Sequence, residues 1–355
     1  MHDVIGALSD IDFVLYTLSP RPDQSLRYTL PGNVVGHKDL VLGSDMGKRR
    51  QKPATALVEG LLGMHERLFN NEDADVIEVL RAREPDNTIG NGLLGNESLW
   101  NLIASTNMKR NPAYAFSDYF WAWQSSHRMI FRVLADTLPA ADMYHAISTG
   151  FAGLAALNAK ARTGKPLVLT EHGLYHKERE IEIRKASFVR GYQRDMWINI
   201  YNSISRMCYR NADSITSLFE ENRQKQIEMG AEPQRCRVIA NGIDVERFTV
   251  VERMRKPGFH VGLVGRIVPI KDVKTYIAMA RLVLDRVPDA VFYAIGPTDE
   301  DPDYYEECVS LTASLGLEHH FTFTGRQDVR DYYSFLDVMV LSSLREAQPL
   351  VVLEG

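Results

Sequence analysis

Apolar runs of strand length alternate along this chain with longer stretches whose apolar residues recur at helical spacing. Asp12 to Tyr16 reads as a strand, and Leu30 to Val35 as a turn feeding another short one. Leu57, Leu61, Met64 and Leu68 mark a helix over 54–70, and 74–83 reads as another. Thr88 to Asn96 is rich in Gly and Asn, hence a loop. Glu97 to Met108 and Ser117 to Leu134 read as helices. The second carries Phe120, Trp121, Trp123 and Phe131, an aromatic stripe read as core.

From there the alternation becomes regular. A strand end at Ala141 to Ala146 leads to a helix from Phe151 to Lys160. The continuous apolar run Pro166 to Thr170 is a buried strand that delivers Glu171, His172 and Gly173 to its carboxyl end. A long helix is expected from Tyr175 towards Tyr209, a strand over Asp213 to Ser217, and a helix from Glu220 closed by Gly230. Arg237 to Asp244 reads as a strand running into an Asn-Gly turn, and Lys256-Pro257-Gly258 as a linker. The pattern then restarts, with strands at His260–Val264, Ala290–Ile295, His320–Thr324 and Val338–Leu341. Helices are expected at Val273–Val287, Asp303–Leu315 and Val329–Phe335. Such β-α alternation predicts an α/β protein with parallel sheets and right-handed crossovers. Two Rossmann-like domains follow, 1–250 and 251–355, since 355 residues suggest about two domains.

Composition narrows the function. The chain is 45% hydrophobic and 25% charged, as soluble globular proteins are. A net charge of −5 gives no reason to expect nucleic acid or an anionic membrane as partner. Cys208, Cys236 and Cys308 lack metal-ligand spacing, and an odd number cannot all pair in one chain; a reducing cytoplasm is expected. No apolar run is long enough for a membrane helix, and residues 1–20 do not form a signal peptide. The run Lys48 to Lys52 reads as a solvated basic loop.

The chemistry gathers at the last stretch, Asp337 to Gly355. A strand, a polar loop with Glu346, and a helix start marked by Pro349 put Glu346 and Glu354 at the carboxyl end of a parallel sheet. Helix-start N–H groups there favour a phosphate, and two carboxylates suit hydroxyls, so a nucleotide sugar fits both. Earlier, Gly265 and Arg266 form a tight strand exit, with Lys271 near a helix start. A guanidinium grips phosphate with two donors and an ammonium acts as a point charge. Outside this setting, the same residues would read as solvated surface. Asp299-Glu300-Asp301 superficially matches a metal-binding D-x-D but reads as a solvated loop; Glu178 and Glu182 share a helix face that would suit an acceptor or plain solvent.

Segments of the chain resemble a known family. VGRIVPIKDVKTYI and VIANGIDVERF are similar to the phosphate-binding and pre-crossover segments of family 4 glycosyltransferases, which have the GT-B fold. GPTDEDPDYYEEC, TEHGLYHKEREIEI, FSDYFWAWQSSHR and YHAISTGFAG resemble, more particularly, the PelF-type glycosyltransferases of Pel exopolysaccharide synthesis. EAQPLVVLE resembles the double-glutamate motif of the retaining enzymes, with Ala347 where glycine is common.

The resemblance implies roles. Glu354 would hold the ribose hydroxyls and Glu346 the donor sugar. Arg266, Lys271 and Gly265 would hold the diphosphate of a UDP-sugar, and His172 would approach the donor sugar from the first domain. It implies retaining, metal-independent transfer to an exopolysaccharide of the biofilm matrix. It also implies a cytoplasmic protein, at the inner face of the membrane if it joins membrane-bound synthase subunits. The donor stays open between glucose and an N-acetylhexosamine. A GT-B-shaped UDP-sugar epimerase and a non-catalytic scaffold module remain as other readings. Compared with the family, the first strand and glycine-rich loop are missing and the chain stops one residue after Glu354. An internal fragment, poorly folded and inactive alone, is therefore expected.

Overall fold

In a computed structural model the structure describes residues 2–22, 26, 29–43, 59–60, 63–64, 67, 77, 80, 97–110, 115–186, 189, 191–249 and 253–355. The basic run 48–52, most of the expected helices 54–70 and 74–83, and the loop 88–96 lie outside them. The chain divides into two compact units, Met1–Ile239 and Ala240–Gly355. The division lies ahead of the expected 250/251 because the segment after Ile239 is held by the second unit. There the Asn241 backbone N–H donates to the Gln348 side chain at 2.6 Å, and Phe248 packs against Tyr333.

The first unit opens with helix α1 (His2–Ala7) and strands β1 (Phe13–Ser19) and β2 (Val34–Val41), a parallel pair that forms its own two-stranded sheet. Asn33, in the expected turn, anchors this region: its amide nitrogen lies 2.9, 2.9 and 3.1 Å from the carbonyls of Ile5, Leu8 and Ile11. Helices α2 (Glu97–Arg110) and α3 (Phe116–Ala135) follow. In α3, Trp123 and Phe131 are core as expected, Trp123 stacking on His127 at 4.0 Å. Trp121 is not core: it is 64% exposed, on the opposite face.

Next come β3 (Tyr144–Ala146), α4 (Gly150–Thr163), β4 (Leu167–Glu171), α5 (Tyr175–Lys185), α6 (Gly191–Asn211), β5 (Ser214–Ser217), α7 (Glu220–Glu228) and β6 (Cys236–Val238). The four strands form one parallel sheet in the order β3-β4-β5-β6. The core is Leu134, Leu154, Leu157, Leu169, Tyr209 and Ile215, with many alanines of α4 packed close. Buried Asn158 of α4 donates to the carbonyls of Leu134 and Asp136, closing the end of α3. The long helix expected after Tyr175 is two helices. Ala186 turns extended (ψ 113°) where Ser187, Val189 and Gly191, all weak helix formers, fall together. The strand expected from Arg237 to the Asn241-Gly242 turn is β6, which already ends at Val238.

The second unit holds β7 (Phe259–Val264), α8 (Val273–Leu284), β8 (Ala290–Ile295), α9 (Pro302–Ser314), β9 (Phe321–Gly325), α10 (Val329–Tyr333), β10 (Val338–Met339) and α11 (Leu350–Glu354). Its strands are parallel in the order β10-β7-β8-β9. β7 and β8 are buried nearly throughout, and Ile277, Tyr276, Phe292 and Phe321 fill the core. Three buried, free cysteines are shared between the units, and burial pushes the Cys308 thiol up to about 11.

At the carboxyl edge of this sheet two exit loops touch backbone to backbone. Gly296 has φ 152°, and a Cβ there would lie 2.0 Å from the Gly265 carbonyl oxygen. Gly296→Ala is therefore expected to cost about 2 kcal/mol or more, from strain and forced separation of the loops. Gly316 (φ 66°) has open space around it, and Gly316→Ala should cost only about 1 kcal/mol. Urea unfolding of the two variants checks this; equal losses would contradict the close approach.

Candidate functional site

In an open α/β sheet, ligands bind outside the carboxyl ends of the strands where the strand order reverses. The order β10-β7-β8-β9 reverses at β7, whose neighbours are the first crossover strand on one side and the last strand on the other. The loops leaving β7 and β10 flank that point. The first carries Gly265, Arg266 and Lys271, and the second carries Glu346.

Both loops are built locally before they meet. Ile267 N–H donates to Pro297 at 3.0 Å and Gly265 N–H to Ile295 at 2.9 Å, fixing the backbone around Arg266. Pro269–Lys271 form a 3-10 turn that ends at Asp272, which adopts a left-handed backbone (φ 46°) and accepts a hydrogen bond from Thr275 Oγ1 at 2.7 Å. The β10 loop is laced to that turn: Ser342 Oγ donates to the Lys271 carbonyl at 2.9 Å, and Leu344 N–H to Ile270 at 2.9 Å.

Lys271 and Glu346 thereby meet in an ion pair, both side chains about four-fifths buried (19% and 22% exposed). Burial alone would raise the Glu346 carboxyl pKa. The hydrogen bond from Lys271, with the charges of Lys271 and Arg266, outweighs it and holds the group below its ordinary value. Glu346 is thus a carboxylate at neutral pH. Arg266 acts on Glu346 through its charge, while its Nη1 donates to Glu300 at 2.8 Å.

Glu354 lies on α11, where Tyr333 OH donates to its carboxylate at 3.3 Å. Pro349 is the residue before the helix, not within its first turn. Among the described residues no cluster of His, Cys, Asp or Glu could hold a metal ion. The Asp299-Glu300-Asp301 run divides its work: Asp301 caps α9 by accepting from Tyr304 N–H at 3.1 Å, and Glu300 holds Arg266.

In the first unit His172 is exposed at the end of β4. The residue before it was the hidden one. Glu171 is fully buried, and Thr149 Oγ1 (3.1 Å), Tyr175 N–H (3.4 Å), Tyr209 OH (2.6 Å) and Gln226 Nε2 (2.9 Å) all donate to it. Burial raises its pKa despite these four donors, since no cation is among them. Alternation along β4 was the available signal: Leu167 and Leu169 face the core, so Glu171 does too. Glu178 reaches back to Gly173, where any Cβ would meet its carboxylate at 2.1 Å, and Glu182 pairs with Arg179 at 2.5 Å.

Comparison with known proteins supplies the class. Residues 258–355 match the family described as glycosyl transferases group 1. Residues 1–234, more than half of the chain, match the family described as a domain of unknown function, DUF3492, and the chain belongs to that family. It is 27% identical over 152 residues to the UDP-Gal:alpha-D-GlcNAc-diphosphoundecaprenol alpha-1,3-galactosyltransferase of Escherichia coli, covering 38% of each. It is 26% identical over 220 residues to the D-inositol 3-phosphate glycosyltransferase of Salinispora arenicola, covering 56% of this chain and 47% of that one. The chain thus spans less than half the length of either relative. Among solved structures, Anabaena Alr3699/HepE in complex with UDP-glucose is similar at 16% identity and TM-score 0.47, covering 96% of this chain and 77% of that one. Among the described residues no helix is long and apolar enough to cross a membrane.

His176, on α5, is buried against Tyr209, and among the described residues its Nδ1 has no hydrogen-bond partner. Burial, with the Lys177 charge, lowers its pKa to about 4. The folded protein then binds fewer protons than the unfolded chain between the ordinary value of 6.5 and about 4, so stability rises with pH across that window. Acidification from pH 6.5 to 4 should therefore lower the urea midpoint, and His176→Phe, which keeps a ring against Tyr209, should flatten that slope. An unchanged slope would assign the acid loss to other groups.

Proposed function

We propose that this chain belongs to a retaining glycosyltransferase of the GT-B form that takes a UDP-sugar and extends an exopolysaccharide of the Pel type in the cytoplasm. The observation that carries the proposal is the strand-order reversal at β7, where two cations and a carboxylate converge from loops of a group 1 glycosyl transferase match. The curated relatives act on sugar donors by their names, which supports the same chemistry here.

In this reading Arg266 and Lys271 grip the diphosphate, with Gly265 keeping the strand exit tight. Glu346 accepts from hydroxyls of the donor sugar and Glu354 from those of the ribose. As the glycosidic C–O bond to the diphosphate breaks, negative charge grows on the leaving oxygen. In this reading the two cations stabilise that charge, and such pre-organised charge is usually the largest single way a site lowers a barrier. The leaving oxygen takes the proton of the acceptor hydroxyl as that hydroxyl bonds to the same face of the anomeric carbon. No protein nucleophile and no divalent metal are required.

Isothermal calorimetry with UDP on the full chain tests the binding half. Arg266→Ala and Lys271→Ala are each expected to weaken UDP roughly tenfold or more, the loss of a charge-assisted phosphate contact. The absence of saturable heat would favour a non-catalytic module.

Product analysis with a panel of UDP-sugars and oligosaccharide acceptors tests the chemistry. Turnover should survive EDTA; loss on chelation with recovery on adding Mn²⁺ would contradict the two-cation mechanism. Isomerisation of the UDP-sugar without acceptor would point to an epimerase.

A further inference from the structure

The cations assigned above to the diphosphate are both engaged by carboxylates. Lys271 pairs with Glu346, which has its own role toward the donor sugar. Arg266 pairs with Glu300, which has none. Glu300 lies on the loop leaving β8, between Gly296 and the start of α9, and its acidic neighbour Asp301 is committed to capping that helix.

We infer that Glu300 is a placeholder anion: its carboxylate occupies the Arg266 guanidinium until the diphosphate of UDP or a UDP-sugar displaces it. The inference rests on the nucleotide-sugar reading of the site. Three observations carry it. The contact is a single Nη1–Oε2 hydrogen bond, so the five-donor fork of the guanidinium is not saturated. Both partners are substantially exposed, at 53% and 35%, and an exposed pair of this kind is weak and exchangeable. The loops themselves are tied by the Ile267–Pro297 and Gly265–Ile295 hydrogen bonds, so Glu300 stays within reach while only side chains rotate.

Charge explains what such a placeholder does. Arg266 and Lys271 are balanced in charge by Glu300 and Glu346. A diphosphate brings a stronger, multidentate anion and turns Glu300 out towards water. Before transfer Glu300 lowers donor affinity; after transfer it competes with the spent UDP for the same guanidinium and so helps to release it.

The test is UDP binding to the full chain by calorimetry at low and high salt. Glu300→Gln, nearly the same shape without the charge, should tighten UDP roughly two- to fivefold, as expected for an exposed pair. The gain should shrink at 0.5 M salt, where charges are screened within a few ångströms. Glu300→Ser should show the same gain, guarding against a steric effect of the glutamine. Asp299→Asn, which removes an exposed acid two positions before the cap, should give a smaller gain. Unchanged or weaker binding in both Glu300 variants, or an equal gain in Asp299→Asn, would overturn the placeholder while leaving the UDP site intact. If the unaltered chain does not bind UDP at all, the nucleotide-sugar reading itself fails, and the placeholder with it.

Discussion

Parallel strand pairing is the constraint on which the rest depends. Parallel strands are joined only by crossovers that return to the starting edge, so every strand exit in a parallel sheet opens at the same edge. In the second unit this alone brings the β7 and β10 exits side by side, although Lys271 and Glu346 are far apart in sequence. In the first unit the same rule sets Glu171 and His172 at the exit of β4, beside the helix starts of α4 and α5. The helices then cover the sheet faces, and the apolar runs of β7 and β8 are the sequence trace of that burial.

The two carboxylates at these edges are stabilised in opposite ways. Glu346 keeps its charge because a cation is hydrogen-bonded to it, and its pKa falls. Glu171 is deeper, has only neutral donors, and its pKa rises. A buried acid held by four neutral donors ties together α4, α5, α6 and α7, since Thr149, Tyr175, Tyr209 and Gln226 come from or border each. Each of its two oxygens accepts from two of these donors, so removing one side-chain donor costs a single hydrogen bond, typically about 0.5–1.5 kcal/mol. Glu171 is therefore an organising group of the first unit, whereas Glu346 is a charged partner held by Lys271 at the edge of the second.

Much of this was legible from residue order alone. Continuous apolar runs marked β4, β7 and β8, and the β-α alternation marked the parallel sheets. What escaped was governed by contacts between distant residues. The long helix after Tyr175 broke at a cluster of weak helix formers, with no Pro to announce it. Trp121 shares the aromatic stripe of α3 but not its buried face. Glu300 read as a solvated acid because nothing in its local sequence records that Arg266, on another loop, lies 2.8 Å away. Glu171 stands beside a more reactive histidine, and only the period of β4 points it inward.

The contact between Gly265 and Gly296 has a kinetic side. With the two strand exits pressed together and latched through Ile267 and Pro297, the backbone at Arg266 has little freedom to travel. Any exchange of partners at the guanidinium is then a matter of side-chain torsions, which in exposed residues turn over in picoseconds to nanoseconds. Loop rearrangements are slower by orders of magnitude. A site whose charges swap partners on a fixed frame meets an arriving anion without waiting for a gate.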